Sequence, residues 1–299
     1  MQNVSSDILS LVSTRQTRLH NYQSHDTGQT LFHDVLPSPK QLRMITSVEL
    51  FISNEQQCSV AQQVLQYARN IRRLSLRISM GSMQYNSRRG NVEPTLQSYL
   101  AVVKRILGRD AADGGGDTTQ PLQLRLRDLV LTDIPAGECS AVLFDVIDPA
   151  TLEALETSGC ADVFILHKYL AGKTRALRRL ANSDSLNVEQ GEPEGMERLL
   201  TNATGIETIR SAERNLAESF PICSWAAIQR QGPTLRVLEI DHAQSTCNTS
   251  DAQALDAFAD MCTHCPHLQE MAIALPPPVW WPAFLVRAGL HLRRSIALY

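Results

Sequence analysis

The sequence predicts an α/β fold in which short parallel strands lie side by side in one curved sheet and a helix returns the chain after each strand. Two stretches, 232–240 and 265–273, share one spacing of apolar residues: a first residue, a second three positions later, and a third two positions after that. These residues are Leu235, Leu238 and Ile240, then Leu268, Met271 and Ile273. A two-residue step places side chains on one face of a strand, whereas a helix needs steps of three and four.

The same phrase recurs at nearly regular intervals over most of the chain. Its middle positions are Val48, Leu74, Leu129, Leu155, Leu180, Ile209, Leu238 and Met271. Neighbouring middle positions lie 25 to 33 residues apart, except for one interval of 55 between Leu74 and Leu129. A strand phrase L-x-x-L-x-L in units of roughly 20–29 residues is typical of leucine-rich repeats. We therefore predict a leucine-rich-repeat solenoid with a curved parallel sheet on its concave side and helices on its convex side. Within the long interval we predict a degenerate strand near Ile78.

Composition divides the chain into two parts. Residues 1–41 are polar and are predicted to form an N-terminal segment or cap, partly disordered, with a loop over 20–30. Residues 42–299 are predicted to form an irregular leucine-rich-repeat domain with a flexible insertion at 108–120, where three glycines lie in a polar tract. Helices are predicted by apolar periodicity at 59–70, 93–107, 161–171, 193–203, 221–231 and 279–289.

Charge, hydropathy and cysteine usage limit the partner and the compartment. The net charge of −3 does not favour a nucleic acid or an acidic membrane surface as partner. No apolar run is long enough for a transmembrane helix, and the first residues lack the pattern of a secretory signal. The 7 cysteines are odd in number and irregularly spaced, which indicates a reducing compartment, the cytosol or the nucleus.

The third apolar position of the phrase changes to a polar residue in the middle repeats. It is occupied by Thr157, Asn182 and Ser211. We expect local polar contacts or looser packing at these positions.

Motifs that carry chemistry are weak in this sequence, and we predict no catalytic, cofactor-binding or metal-binding residue. Cys262, His264, Cys265 and His267 have zinc-like spacing, but no second C-x-x-C is present to complete a site. The run 171–174 ends like a phosphate-binding loop, yet it follows a predicted helix instead of a strand and lacks the first glycine. Trp280 and Trp281 fit either a capped core or an exposed docking residue, the first being favoured.

Two phrases carry a family resemblance. CPHLQEMAI, which has cysteine and proline before the strand leucine, resembles the cysteine-containing leucine-rich repeats of F-box proteins, and IDPATLEALETSGC, ending at Cys160, is similar. The uneven repeat length and arginine-rich strands look most like fungal F-box/leucine-rich-repeat proteins. The resemblance covers about residues 42–298, the repeat part only.

This resemblance implies the receipt of substrates for a cullin-RING ubiquitin ligase, in which the repeats bind a target and the F-box binds the adaptor. An F-box usually opens with leucine and proline before an acidic and apolar helix. The sequence before Leu42 has SSDILSLVSTRQ in place of that opening. Binding of the adaptor would therefore need an F-box upstream, and an F-box-less relative is the other interpretation.

The candidate binding site is the face of the strands opposite the leucines. Residues between the apolar positions point away from the core and form the extended concave surface that such solenoids use. They are Arg73, Ser75, Arg77, Asp128, Val130, Glu156, Arg179, Arg210, Glu239, Asp241 and Glu270. Their charges alternate in sign, which suits a protein partner better than a polyanion.

We therefore predict a non-catalytic module for recognising another protein. The alternative is a repeat protein that regulates an enzyme, such as a GTPase-activating protein, in which an exposed arginine or asparagine completes the active site of the other protein.

Overall fold

The computed structural model describes residues 21–23, 38–79, 96–108, 123–183, 194–213, 225–242, 263–273 and 296–297. Its strands are β1 (Asn21–Gln23), β2 (Ser47–Ile52), β3 (Arg73–Ile78), β4 (Asp128–Thr132), β5 (Ala154–Ser158), β6 (Arg179–Ser183), β7 (Thr208–Glu213), β8 (Val237–His242), β9 (Glu270–Ile273) and β10 (Ile296–Ala297). Its α-helices are α1 (Pro39–Leu42), α2 (Glu55–Tyr67), α3 (Leu96–Ile106), α4 (Ala136–Phe144), α5 (Val163–Leu170), α6 (Glu194–Asn202) and α7 (Trp225–Gln229), and a 3-10 turn spans Pro149–Thr151.

The chain folds as two compact units. The first contains residues 1–132 and 141–148, and the second contains residues 133–140 and 149–299. In both units every described strand pair is parallel, so the fold is α/β as predicted. The predicted insertion beyond Gly108, the predicted helix at 279–289 and most of the predicted N-terminal segment lie outside the described residues.

In the first unit, β1 to β4 pair in chain order, and the predicted strand positions are confirmed. Val48 lies opposite Leu74, and Leu74 lies opposite Leu129, so the middle apolar positions are in register. The loop predicted over 20–30 is wrong for Asn21–Gln23, which pairs with Ser47–Glu49. Such a polar, three-residue strand is formed by backbone hydrogen bonds and has no apolar alternation by which a sequence pattern would find it.

The degenerate strand predicted near Ile78 is also wrong. Ile78 is the last residue of β3 itself, and it pairs with Ile52. Since β3 pairs directly with β4, the interval of 55 residues between Leu74 and Leu129 is one long connection. Its described part contains the predicted helix α3. Arg105 of α3 forms an ion pair with Glu55 and donates a hydrogen bond of 3.2 Å to the Ser59 hydroxyl, which joins α3 to α2.

In the second unit, β5 to β10 pair in chain order and with the same register. The middle apolar positions lie opposite one another from strand to strand; they are Leu155, Leu180, Ile209, Leu238 and Met271. Ile296 of β10 pairs with Met271. The predicted helices at 161–171, 193–203 and 221–231 contain α5, α6 and α7. Helix α4 was not predicted from its sequence, AGECSAVLF.

One face of each strand forms the core because apolar side chains occupy every second position. In β3, for example, Leu74, Leu76 and Ile78 are buried while Arg73 and Arg77 are exposed. Complete burial of such a side chain contributes about 1.5–3 kcal/mol relative to exposure. An isolated strand and helix cannot achieve this burial, so each repeat depends on its neighbours.

A recurring backbone junction sets the register at the start of the strands. The N–H groups of Arg72 and Arg73 both donate to the Thr46 carbonyl, at 2.7 and 3.0 Å, and those of Arg178 and Arg179 donate to the Glu153 carbonyl, at 2.8 and 3.0 Å. Because the junction uses only main-chain atoms, any residue except proline can occupy its donor positions.

Close approach of the helical segments requires glycine at two places in the second unit. A Cβ atom on Gly195 would lie 2.1 Å from the Phe164 carbonyl oxygen, and a Cβ atom on Gly232 would lie 2.1 Å from the His264 carbonyl oxygen. Real Cβ contacts are never this short, so a larger residue would force the backbone of neighbouring segments apart.

Buried Gln231 joins the end of α6 to the turn after α7. Its Nε2 group donates to the Leu200 and Ala203 carbonyls, at 2.6 and 3.0 Å, while its Oε1 accepts from the Ile206 N–H at 3.3 Å. The last carbonyls of a helix lack partners within the helix. Gln231 supplies partners for them in a place that water does not reach.

We expect Gln231→Glu to lower the free energy of unfolding by at least about 2 kcal/mol, because the new side chain keeps the shape but loses the donor to two buried carbonyls. Urea denaturation at neutral pH measures the loss. The matched control is Gln229→Glu, at a half-buried position of α7, and it should change stability by no more than about 0.5 kcal/mol. Equal losses in both variants would contradict the proposed role of Gln231.

Burial also governs the chemistry of His167 in α5. Its side chain is buried, its Nε2 atom has no hydrogen-bond partner in the part of the chain that the structure describes, and burial lowers its pKa from 6.5 to about 4. The imidazole is therefore neutral in the folded protein near pH 7 and resists protonation on acidification.

This pKa shift predicts a loss of stability in acid. Between pH 6.5 and pH 4 the unfolded chain binds a proton at His167 that the folded chain does not. The free energy of unfolding therefore decreases as the pH is lowered through this range, by up to about 3 kcal/mol. His167→Phe should remove this part of the pH dependence, whereas His267→Phe at an exposed position should retain it. Urea denaturation of the three proteins at several pH values checks the difference, and identical slopes would show that His167 is not responsible.

Candidate functional site

The exposed face of the first unit contains five of the predicted binding residues. Arg73 and Arg77 are exposed, and Ser75 is half-buried, all on β3. Asp128 and Val130 on β4 are half-buried. The register brings these residues together in rows: Arg73 lies opposite Asp128, Ser75 opposite Val130, and Arg77 opposite Thr132.

Phe51 belongs to the same face and was missed by the sequence analysis. It pairs with Arg77, whose guanidinium carbon lies 5.5 Å from the centre of the Phe51 ring. At this distance an arginine is attracted to the face of an aromatic ring by about 0.5–1 kcal/mol where solvent is present. The contact restrains Arg77 over β2 and adds a half-buried apolar surface to the face.

The strands of the second unit contain the other six predicted residues. Glu156, Arg179, Arg210 and Glu270 are exposed, and Glu239 is half-buried. Asp241 lies on β8, where it pairs with Ala212 of β7. Arg210 and Glu239 are opposite one another, and their Nε and Oε2 atoms are 3.2 Å apart. Because both side chains are about half exposed, this ion pair adds at most about 1 kcal/mol to stability.

A further row of charged residues lies where the strands begin, and the sequence analysis overlooked it. This strand-entry row consists of the residue immediately before each strand; in the second unit it contains Glu153, Arg178, Glu207, Arg236 and Gln269. The first four alternate in sign, and the Arg178 Nη1 atom lies 2.6 Å from Glu207 Oε1. Two residues lie between the first and second apolar positions of the phrase. The first of them, such as Arg72, belongs to the strand-entry row, and only the second, such as Arg73, was among the predicted binding residues.

The strand-entry row of the first unit has a different charge pattern. It contains Thr46, Arg72 and Arg127, so two arginines are neighbours there. The Arg127 N–H donates to the Arg72 carbonyl at 2.7 Å, which fixes the two backbones side by side. Arg72 and Arg127 are both exposed.

Beneath the exposed face of the second unit, two of the three polar third positions form a polar contact, as expected. Thr157 and Asn182 are neighbours in register, both are buried, and the Thr157 hydroxyl donates to Asn182 Oδ1 at 3.1 Å. Ser211 is opposite Asn182 and also buried, but its hydroxyl has no hydrogen-bond partner among the described residues. These three side chains replace leucine without opening a route to solvent.

The cysteines among the described residues, which are candidate nucleophiles and metal ligands, are inaccessible to solvent. Cys58, Cys139, Cys160 and Cys265 are buried. Burial, aided by Glu138, raises the pKa of Cys139 to about 11, and burial alone raises the pKa of Cys265 to about 11. Since a thiolate is the reactive and metal-binding form, both thiols are poor ligands and nucleophiles at neutral pH.

The remaining motifs are those that suggested a zinc site, a docking residue and a phosphate-binding loop. No group of three or more His, Cys, Asp or Glu within the described ranges is arranged to hold a metal ion. Cys262, Trp280 and Trp281 lie outside those ranges. The phosphate-loop-like run follows α5, and the Lys173 ammonium lies 3.4 Å from the centre of the Tyr169 ring.

The described residues therefore define an α/β protein whose parallel strands present rows of charged side chains on one face and bury apolar side chains on the other. No protein-family model matches the chain, and no curated protein is detectably similar to it in sequence. Among the described helices, none has the length and apolar character needed to cross a membrane.

The buried polar positions should respond differently to truncation. Asn182→Ala removes the acceptor of the Thr157 hydroxyl and leaves a cavity, so we expect a loss of about 2–3 kcal/mol. Ser211→Ala removes a hydroxyl that has no described partner, so its effect should stay within about 0.5 kcal/mol or be stabilising. Urea denaturation of both variants tests this order, and a loss at Ser211 as large as that at Asn182 would contradict it.

Proposed function

We propose that this chain is a leucine-rich-repeat solenoid that recognises another protein, with the exposed faces of its strands on the concave side and its helices on the convex side. The observation that carries the proposal is the register of the repeats. In each unit the residues between the apolar positions form rows across neighbouring strands. A regular strand array that presents side chains in fixed rows is suited to an extended protein surface.

The chemistry of the exposed residues supports recognition rather than catalysis. The rows combine arginine and carboxylate side chains with small or neutral residues such as Ser75, Ala181 and Ala272. Arginine is enriched at protein interfaces and binds planar carboxylates through two parallel hydrogen bonds. The buried cysteines and His167 supply no accessible nucleophile or base.

The resemblance to fungal F-box/leucine-rich-repeat proteins extends the proposal to a biological role. In this role the repeats receive substrates for a cullin-RING ubiquitin ligase in the cytosol or nucleus. The ligase adaptor is a partner where an F-box is joined to the repeats, and an F-box-less protein would bind its target alone. Regulation of an enzyme, such as activation of a GTPase, is the competing role, and hydrolysis assays with candidate GTPases separate the two.

Charge reversal on the exposed faces provides the test. We expect R73E/R77E/R179E to weaken capture of the partner by tenfold or more, because complementary charges would become repulsive. The thermal unfolding temperature should fall by only a few degrees, because the variant loses the contact between Arg77 and Phe51. Affinity purification with quantitative mass spectrometry measures the captured proteins.

The matched control reverses Arg43, Arg69 and Arg230, which are exposed and lie outside these faces. R43E/R69E/R230E changes the net charge equally and should retain the partner. If R73E/R77E/R179E captures the same proteins in the same amounts as the unmodified chain, the exposed faces are not the recognition surface.

A further inference from the structure

The two units have opposite charge balance on equivalent positions. In the first unit, the exposed face and strand-entry row combine four arginines with two carboxylates; these are Arg72, Arg73, Arg77 and Arg127, then Glu49 and Asp128. In the second unit, four arginines accompany five carboxylates among the side chains that the structure describes; these are Arg178, Arg179, Arg210 and Arg236, then Glu153, Glu156, Glu207, Glu239 and Glu270. The first unit is therefore locally basic in a chain whose net charge is −3.

The backbone holds the arginines of the first unit close together. Arg127 and Asp128 both donate to the Arg72 carbonyl, at 2.7 and 3.0 Å, so Arg72 and Arg127 begin adjacent strands. Adjacent parallel strands are separated by about 4.8 Å. Like charges at this separation repel each other. The equivalent positions of the second unit, Arg178 and Glu207, form an ion pair instead.

The arginines at the start of β3 have no compensating ion pair among the residues that the structure describes. Neither Arg72 nor Arg73 forms an ion pair with any residue that the structure describes. Both side chains are exposed. The guanidinium groups of Arg72 and Arg73 are therefore available to anionic groups on another molecule.

We propose that Arg72, Arg73, Arg77 and Arg127 bind an extended acidic segment of the partner protein, which rests on the recognition function proposed above. Arg73 and Arg77 are four residues apart on β3, a distance of about 13 Å along a strand. Carboxylates four residues apart in an extended partner segment have the same separation. Ser75 lies between the two arginines, and Phe51 beside Arg77 offers an apolar surface to the intervening side chain.

The surrounding charges favour a protein segment over a nucleic acid. Glu49 and Asp128 lie among the arginines, and both would repel a continuous phosphate backbone. An acidic protein segment with neutral residues between its carboxylates avoids these positions. Guanidinium groups also match the planar geometry of single carboxylates.

The experiment measures fluorescence anisotropy of a labelled peptide with glutamate at every fourth position and serine between, with a peptide in which glutamine replaces each glutamate as its neutral counterpart. We expect the full chain to bind the glutamate peptide at least tenfold more tightly. Raising NaCl from about 0.1 to about 1 M should weaken this binding strongly, because the Debye length shortens from about 10 to about 3 Å.

Variants locate the binding. R72E/R73E should weaken binding of the glutamate peptide by tenfold or more, while R43E/R69E, which has the same change in net charge, should leave it within twofold. Glu49→Gln should tighten binding, because it removes a repulsive carboxylate from the same face. Equal binding of the two peptides, or equal effects of the two charge-reversed variants, would overturn the proposal.

Three further outcomes separate this inference from its alternatives. If a labelled deoxythymidine oligonucleotide binds more tightly than the glutamate peptide, the ligand of these arginines is a nucleic acid and not an acidic protein segment. If R73E/R77E/R179E loses its captured proteins while the glutamate peptide fails to bind, the acidic-segment proposal fails and protein recognition stands. If that variant keeps its captured proteins, protein recognition by these faces fails.

Discussion

One-sided burial is the constraint on which the structure depends. Most of the described strands have apolar residues at alternate positions, and these can leave water only when the next strand lies parallel and in register. A slip of one residue would move every leucine of a strand to the exposed face. In β3 such a slip would expose Leu74 and Leu76 and bury Arg73 and Arg77. The register is therefore enforced by both faces of the sheet at once.

Much of the fold could be predicted from the sequence because its main signal is local and repeated. The spacing of Val48, Leu74 and Leu129, and of the later middle positions, identified strands that the structure confirms. β1 was missed, since Asn21–Gln23 is polar and is recognised as a strand only through its pairing. Helix α4 was missed because its sequence is apolar over much of its length and has no clear helical face. Ile78 was misplaced because a long connection was mistaken for two repeats.

The candidate site was predicted in part, and the missing part depended on register. The residues between the second and third apolar positions point to the exposed face in any strand, so a local pattern finds them. The strand-entry row is different. That Arg178 meets Glu207 while Arg72 meets Arg127 becomes evident only when the strands are aligned, because these residues are 29 and 55 positions apart. Likewise, Phe51 is recognised as a neighbour of Arg77 only through the pairing of β2 with β3.

The junction at the start of the strands has a consequence for how such a surface can diversify. Its hydrogen bonds come from the backbone alone, and the side chains at the same positions lie outside the core. A substitution there alters what the surface attracts while leaving the architecture intact. Side chains in this row can thus change one residue at a time, without first having to repair the scaffold that displays them.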